Sequence, residues 1–422
     1  MTGTTHTIKH ISHILRKIQA LKSLDDMTGY FYDEPKPFHY RAVYETYIAS
    51  LKPKYIVGED PMTASGISFQ SQDLAQLKCF GEAVERLSLS CFLKERIEIA
   101  AIDSVDGLYR EGLTSKTNKI GTVQGRNIFT DKLVRIPARS VFLTYPRYAA
   151  YDLELGEAYI KESISTGAAF GTDKTSAILR GVYEVLERDA FMTIYLTKTT
   201  PPLVNLASFR SKRIEKICEI MEKYRLLWVV ANVTNDTEVP VFASIIIDET
   251  GVGPAISIGL RAGYDTHGAV VSSCEEALLG RFWTRIHMIH TKKQRPTPKT
   301  KIVNHISRSM YWYKKNQIHK LFFFIRGKKE KISRNSDYLT ESQQLAKLQN
   351  LLEKKNLDTI IVDILPPALR NNNMNVYKVV IPKLQPLYLS EHHKSLKLQR
   401  LREVAEFFGK RNLEINTVPY PF

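Results

Sequence analysis

Cysteine is scarce and scattered in this sequence. Cys79, Cys91, Cys218 and Cys274 are the only four in 422 residues, and no C-x-x-C pair occurs. That spacing excludes a disulfide framework and a zinc-ribbon pattern, and predicts reduced, mostly buried thiols. Long apolar runs are also missing; nothing approaches the ~20 consecutive apolar residues of a membrane span. Met1 to His6 lack a charged-then-apolar secretory pattern, so no membrane association and a cytoplasmic location are expected. Neither G-x-x-x-x-G-K-[ST] nor G-x-G-x-x-G occurs, which removes the two commonest phosphate-loop signatures. Acidic residues nearly vanish from one stretch. Between Lys292 and Arg334 fourteen Lys and Arg face one acid, Glu330, giving +13 of the chain's +16.

Within that stretch KKQRPTPKTK (292–301) carries two prolines and reads as a solvated loop. A lysine-rich insertion explains it, and a docking surface for an acidic peptide or nucleic acid is the competing reading. Tyr311, Trp312 and Tyr313 follow, but no nucleic-acid module signature accompanies them, so nucleic acid is not expected as a partner.

What is present is an ordinary globular composition, 43% hydrophobic and 25% charged. Ile8, Ile11, Ile14, Leu15, Ile18 and Leu21 recur at helical spacing and predict a basic amphipathic helix over 8–24. Further helices are expected at about 40–52, 73–92, 173–197, 266–288, 340–355 and 394–409. Strands are expected at 134–143, 227–233, 240–248, 358–363 and 376–382. Strands and helices alternate irregularly, which argues an α+β fold against a doubly wound parallel sheet.

The most informative feature is an internal echo. GEAVERLS (81–88) and YEVLERDA (183–190) share E-[AV]-[VL]-E-R, and Ala75 and Leu77 match Ala177 and Leu179 in the same register. Residues three apart share a helix face, so Glu82 with Glu85 and Glu184 with Glu187 each present two carboxylates side by side. Gathered together, four carboxylates repel one another unless a cation intervenes. A hard divalent ion such as Mg²⁺ takes carboxylate oxygens and bridges to phosphates. Arg86 and Arg188, following each second glutamate, suit phosphate oxygens. A di-iron bundle is excluded, because it requires Glu-x-x-His on two helices and neither helix has the histidine. STGAAFGTD (165–173) supplies Ser165, Gly167 and Gly171 as a small-residue approach to a helix N-terminus, where an anion is favoured. A third charged helix, 266–285, offers Glu276 and Arg281.

These segments resemble the YcaO family. STGAAFGTDKTSAILRGVYEVLERDAFM (165–192) is similar to its central signature, GEAVER (81–86) to its first, and 266–285 to its third. The resemblance covers about 60–290 well and the last third less closely. It implies mixed sheets and helices around a central ATP and Mg²⁺ site. Glu82, Glu85, Glu184 and Glu187 would hold the metal, while Ser165, Gly167, Gly171, Arg86, Arg188, Glu276 and Arg281 would contact nucleotide or metal. Lys78, where the family often has serine, and Leu279, where it commonly has glutamine, depart from the pattern. The implied segments are 1–60, a 61–290 core, a basic insertion at 291–335, and 336–422 with a proline-containing tail.

VYKVVIPKLQPLYLSEHHKSLKLQRLREV (376–404) resembles the azoline-forming cyclodehydratases, whose tails read Pro-x-Pro-x-Pro; here Pro419 and Pro421 stand without a third. Alternating prolines stiffen a tail, which would let the carboxylate of Phe422 serve as a proton acceptor. The resemblance implies ATP-dependent conversion of Cys, Ser or Thr in a ribosomal precursor peptide to thiazoline or oxazoline. Backbone thioamide synthesis is the alternative chemistry, and a scaffold or nucleic-acid binder the alternative class. About eighty residues precede the first motif, so an E1-like, leader-binding partner is expected as a separate chain. A flavin dehydrogenase partner and a homodimer or larger complex are compatible with the family.

Overall fold

The computed structural model describes residues 2–45, 55–56, 62–151, 153–159, 163–291, 301–332, 339–370 and 372–422. Most of the proline-bearing run 292–301, and the end of the helix expected at 40–52, lie outside them. The chain forms two compact units that interleave in sequence. Unit 1 is Met1–Thr28, Pro37–Val185 and Thr340–Lys383; unit 2 is Gly29–Lys36, Leu186–Leu339 and Leu384–Phe422.

In unit 1 the basic amphipathic helix runs Thr2–Lys17 and buries Ile8, Ile11, Ile14 and Leu15. It ends earlier than its periodicity predicts, because Gln19 turns the chain at φ +58° and Leu21–Asp26 leaves as a strand. Phe38–Tyr44 is likewise a strand where a helix was expected. Its aromatic and β-branched residues suit a pleated surface, and it sits centrally between Leu21–Asp26 and Met62–Ser68 in an antiparallel sheet. The helix Gln72–Ser90, capped by the Ser71 hydroxyl, lies on this sheet and buries Cys79, Phe80, Ala83, Val84 and Leu87.

A second sheet orders Ala168–Gly171, Asn375–Val380, Ile360–Asp363, Lys119–Asn127 and Glu98–Ala101, all antiparallel. Leu133–Pro137 also pairs with Lys119–Asn127 and gives way to a single 3-10 turn at Ala138–Ser140, earlier than the strand expected over 134–143. One hydrophobic core including Phe80, Leu87, Phe142, Phe170, Val362 and Val376 joins the Gln72–Ser90 helix to these strands. The glycine-bearing approach at 165–171 is therefore a turn followed by a strand, rather than loop throughout.

Unit 2 is built on a sheet ordered Ile256–Ala262, Val241–Asp248, Leu226–Asn232, Leu203–Val204 and Lys329–Glu330, with only the last pair parallel. Every residue of Val241–Asp248 is buried, as its near-continuous apolar sequence requires. The helix Thr266–Thr291 packs on the sheet. The antiparallel sheets with helices laid on them make the fold α+β.

The basic stretch is not uniformly solvated. His305–Tyr311, Lys315–Leu321 and Phe322–Ile325 are short helical segments, and Met310, Trp312, Leu321 and Phe324 are buried in unit 2. Trp312 is a core residue there, bonded by its indole N–H to the Pro419 carbonyl at 3.2 Å. Of the cysteines, Cys79, Cys91 and Cys274 are buried free thiols, and Cys218 is partly buried.

Candidate functional site

Two close strand–helix crossings help to place the acidic residues. In unit 1 a Cβ added at Gly66 would lie 1.9 Å from the Ala75 carbonyl oxygen and 2.3 Å from the Cys79 nitrogen, so only glycine lets helix Gln72–Ser90 sit this near the strand. In unit 2 a Cβ at Gly259 would meet the Ser273 carbonyl at 2.2 Å and the Ala277 nitrogen at 2.3 Å. In each case a helix carboxylate meets a backbone amide of the strand or turn that precedes the helix. Glu82 accepts the Ser65 N–H at 2.7 Å, 17 residues upstream; Glu184 accepts the Gly167 N–H at 2.9 Å, also 17 upstream. Glu276 accepts the Leu260 N–H at 2.6 Å, 16 upstream.

The echo seen in the sequence is thus a repeated strand–helix module, and the third charged helix is another copy. The second glutamate of each pair is held by the strand before the next helix. Glu85 accepts the Phe170 N–H at 2.8 Å, and Glu187 accepts the Ala262 N–H at 2.8 Å. In the third copy the matching position is Leu279, so no second carboxylate stands there.

In unit 1, the charges of Glu82 and Glu184 both act on Glu85. Burial pushes the Glu85 carboxyl up to about 8, and the charges of Glu184 and Glu82 push the same way against the Phe170 N–H bond. Arg86 pairs with Glu82 at 3.1 Å. Gly167 adopts φ +86°, and a Cβ there would stand 2.3 Å from the Val379 carbonyl oxygen, so glycine is obligatory. The Ser165 carbonyl accepts the Ala168 N–H at 2.9 Å and closes this turn. Gly171 ends the strand where a Cβ would meet the Ser176 hydroxyl at 2.3 Å. Lys78 donates to the Ile67 carbonyl at 3.1 Å. Sequence reading missed Lys378, 2% exposed, whose ammonium donates to the carbonyls of Ile164 and Thr166, both at 2.7 Å. Burial lowers its pKa to about 8, opposed by the charge of Glu184. Its signal was a lysine inside the apolar strand VYKVVI.

The second glutamate helix, Lys174–Leu196, passes from unit 1 into unit 2 between Val185 and Leu186. In unit 2, Glu187 is 4% exposed, and Arg188 pairs with Glu187 at 3.5 Å and Glu276 at 3.4 Å. The Arg188 guanidinium lies 3.9 Å from the centre of the Phe422 ring. The tail is docked. Tyr420 is 1% exposed, and Arg308 stacks on its ring at 3.7 Å while donating to the carbonyls of Tyr388 and Leu389.

Arg281, the other candidate of the third charged helix, is held by acidic residues. Its guanidinium is buried against Glu34 at 2.8 Å, Asp248 at 2.8 Å and the Pro254 carbonyl at 3.2 Å. With Arg285, which pairs with Asp33 and Glu34 and stacks on Phe31 at 4.0 Å, it fastens the segment Gly29–Lys36. Asp189, next to Arg188, is fully buried on Arg400 at 2.6 Å and on the Asn235 amide at 2.8 Å.

Among the described residues no three His, Cys, Asp or Glu side chains converge as a metal cage. Mg²⁺ does not require one, since it binds through one or two carboxylates with phosphates and waters. The hard oxygen donors fit that ion, and so does the raised Glu85 carboxyl, which marks charge that the protein alone leaves under-compensated. Among the described residues no helix is long and apolar enough to cross a membrane.

The fold is shared with known proteins. A heterocyclase solved in complex with substrate and cofactor superposes with a TM-score of 0.72 at 17% identity, covering 98% of this chain and 57% of that one. YcaO from Methanopyrus kandleri, bound with AMPPCP and Mg²⁺, gives 0.62 at 17%, covering 90% and 91%. The Escherichia coli microcin synthetase McbBCD complex gives 0.58 at 12%, covering 88% and 93%. A curated relative from Methanothermobacter thermautotrophicus is 27% identical over 222 residues, 50% of this chain and 55% of that protein. The chain thus spans little more than half the length of that relative and of the first heterocyclase. A family model for ATP- and Mg²⁺-binding YcaO cyclodehydratases matches residues 68–385, and the chain belongs to the YcaO family.

Proposed function

We propose that this protein uses ATP to phosphorylate a backbone amide oxygen of a peptide and closes a thiazoline or oxazoline ring. The observation that carries this reading is the repeated module, which fixes one oxygen of each of Glu82, Glu85, Glu184 and Glu187 on a backbone amide. Carboxylates oriented in this way suit Mg²⁺, which when bound neutralises phosphate charge. The four glutamates would hold it. Arg86 and Arg188 would face phosphate oxygens, with Glu276 orienting Arg188. Ser165, Gly167 and Gly171 would form the small-residue approach for nucleotide. Arg281 would act at one remove, through Glu34 and Asp248.

A Cys, Ser or Thr side chain of the substrate adds to the preceding carbonyl carbon and loses its proton. The resulting oxyanion takes the γ-phosphoryl group from ATP, releasing ADP. Loss of the amide proton and cleavage of the C–O bond expel phosphate and leave the C=N of the azoline. The peptide thereby loses one water. Where Phe422 is the final residue, its carboxylate is the proposed proton acceptor; support comes from the docked tail and from Arg188 stacked on the Phe422 ring. The peptide substrate, a separate leader-binding partner and a flavin dehydrogenase acting afterwards belong to this proposal. The first heterocyclase was solved with substrate, and the microcin synthetase as the McbBCD complex. Arg308 and Trp312 of the basic stretch are buried in unit 2, so that part of it offers nucleic acid no surface.

Intact mass spectrometry of a candidate precursor peptide incubated with this protein, its partner, Mg²⁺ and ATP tests the reading. ATP-dependent loss of one water per modified residue supports it. Exchange of oxygen for sulfur replaces it with thioamide synthesis, and an unchanged mass with no ATP consumed refutes it.

A further inference from the structure

We propose that Lys378 is a positioning residue for the glutamate cluster, fixing the 164–167 turn so that the Gly167 amide meets Glu184. The inference rests on the metal-holding reading only for its consequence; the geometry stands by itself.

Lys378 lies in strand Asn375–Val380, paired in register with Ala168 of the strand Ala168–Gly171. The side chain therefore starts beside the turn that it holds. Its ammonium donates to the Ile164 and Thr166 carbonyls, both at 2.7 Å. The neighbouring backbone bonds the turn from the other side, because the Val379 N–H donates to the Gly167 carbonyl at 2.7 Å. Carbonyls 164 and 166 point to the ammonium, carbonyl 167 points to the strand, and amide 167 points to Glu184 at 2.9 Å. Gly167, at φ +86°, is what lets the chain reverse between those directions. A buried ammonium is expensive unless its donors are used and a counter-charge is near. The carbonyls supply the first and Glu184 the second. A neutral residue could pack the strand; only a cation serves both carbonyls and balances a carboxylate in the same place. The corresponding amide of the first copy, Ser65, meets Glu82 in a regular strand and needs no such anchor.

The test is hydrogen exchange on the metal- and nucleotide-free protein. In Lys378→Met the Gly167 amide should exchange at least tenfold faster, while the Ser65 amide, bonded to Glu82 in the same unit, keeps its wild-type rate. Equal rates at Gly167 in wild type and folded variant overturn the proposal. If Lys378→Met does not fold, Lys378→Ala in propylammonium chloride replaces it, since that cation supplies the missing atoms. Restored Gly167 protection with propylammonium but not with equimolar sodium chloride supports the assignment; equal effects of the two salts overturn it. As a consequence, the Mg²⁺ concentration for half-maximal AMPPCP binding should rise several-fold in the variant. If the exchange result holds but Mg²⁺ has no effect on nucleotide binding in either protein, the metal-holding reading has failed and the positioning role has not.

Discussion

Replacing Glu85 by glutamine should stabilise the metal-free protein at high pH. In the folded chain burial pushes the Glu85 carboxyl up to about 8 from its ordinary value of 4.5, and the charges of Glu184 and Glu82 push the same way. The folded state therefore binds more protons than the unfolded state between those values, and stability falls as pH rises through that window. Above it, both states carry the charge and the full penalty is present. The shift converts to about 5 kcal/mol at most, and solvent reaching a partly buried carboxylate reduces the expected effect to about 2 kcal/mol. Glutamine keeps an oxygen for the Phe170 N–H and carries no charge. For a unit of this size about 2 kcal/mol corresponds to roughly 4–8 °C in midpoint. Thermal melts followed by circular dichroism at pH 5 and pH 9, without divalent ions, should show E85Q melting higher than wild type at pH 9 and by a clearly smaller margin at pH 5. A lower midpoint for E85Q at pH 9, or a difference independent of pH, would refute the assignment of unrelieved charge to this position.

Glu184→Gln and Glu187→Gln should each lower ATP-dependent peptide modification by at least about a hundredfold, with circular dichroism unchanged, as read by intact mass over a time course. Arg281→Met removes the buried cation beside Asp248 and one of the two arginines on Glu34, Arg285 keeping the other contact, and should cost unit 2 about 3–5 kcal/mol, read as a lowered melting midpoint. Gly167→Ala forces a side chain onto the Val379 carbonyl at positive φ and should destabilise unit 1 by about 1–3 kcal/mol; Gly251→Ala, with open space around it, should cost only the backbone strain.

The glutamate helices were legible because a three-residue spacing on a helix fixes which side chains share a face. Glu82, Glu85, Glu184 and Glu187 needed no tertiary information to be paired. The equal 17-residue separations from Ser65 to Glu82 and from Gly167 to Glu184 were visible only afterwards, because a backbone amide leaves no trace in residue type. The ion pairs of Arg281 were not legible for the converse reason. Its partners Glu34 and Asp248 lie 247 and 33 positions away, and no local pattern links them. The helix expected from about 40 overlaps a strand, because Tyr40, Ala42 and Tyr44 sit in a central strand, where pairing on both sides decides the conformation. The basic stretch was read from net charge, which says nothing about Trp312 and Phe324 reaching a core.

These glutamates are proposed to hold Mg²⁺ against ATP. Isothermal titration of AMPPCP into the protein, with and without Mg²⁺, tests it most directly. Mg²⁺-dependent binding in the wild type that is lost in both Glu184→Gln and Glu187→Gln is the predicted result. Binding of equal strength without Mg²⁺, or undiminished in those two variants, would contradict it.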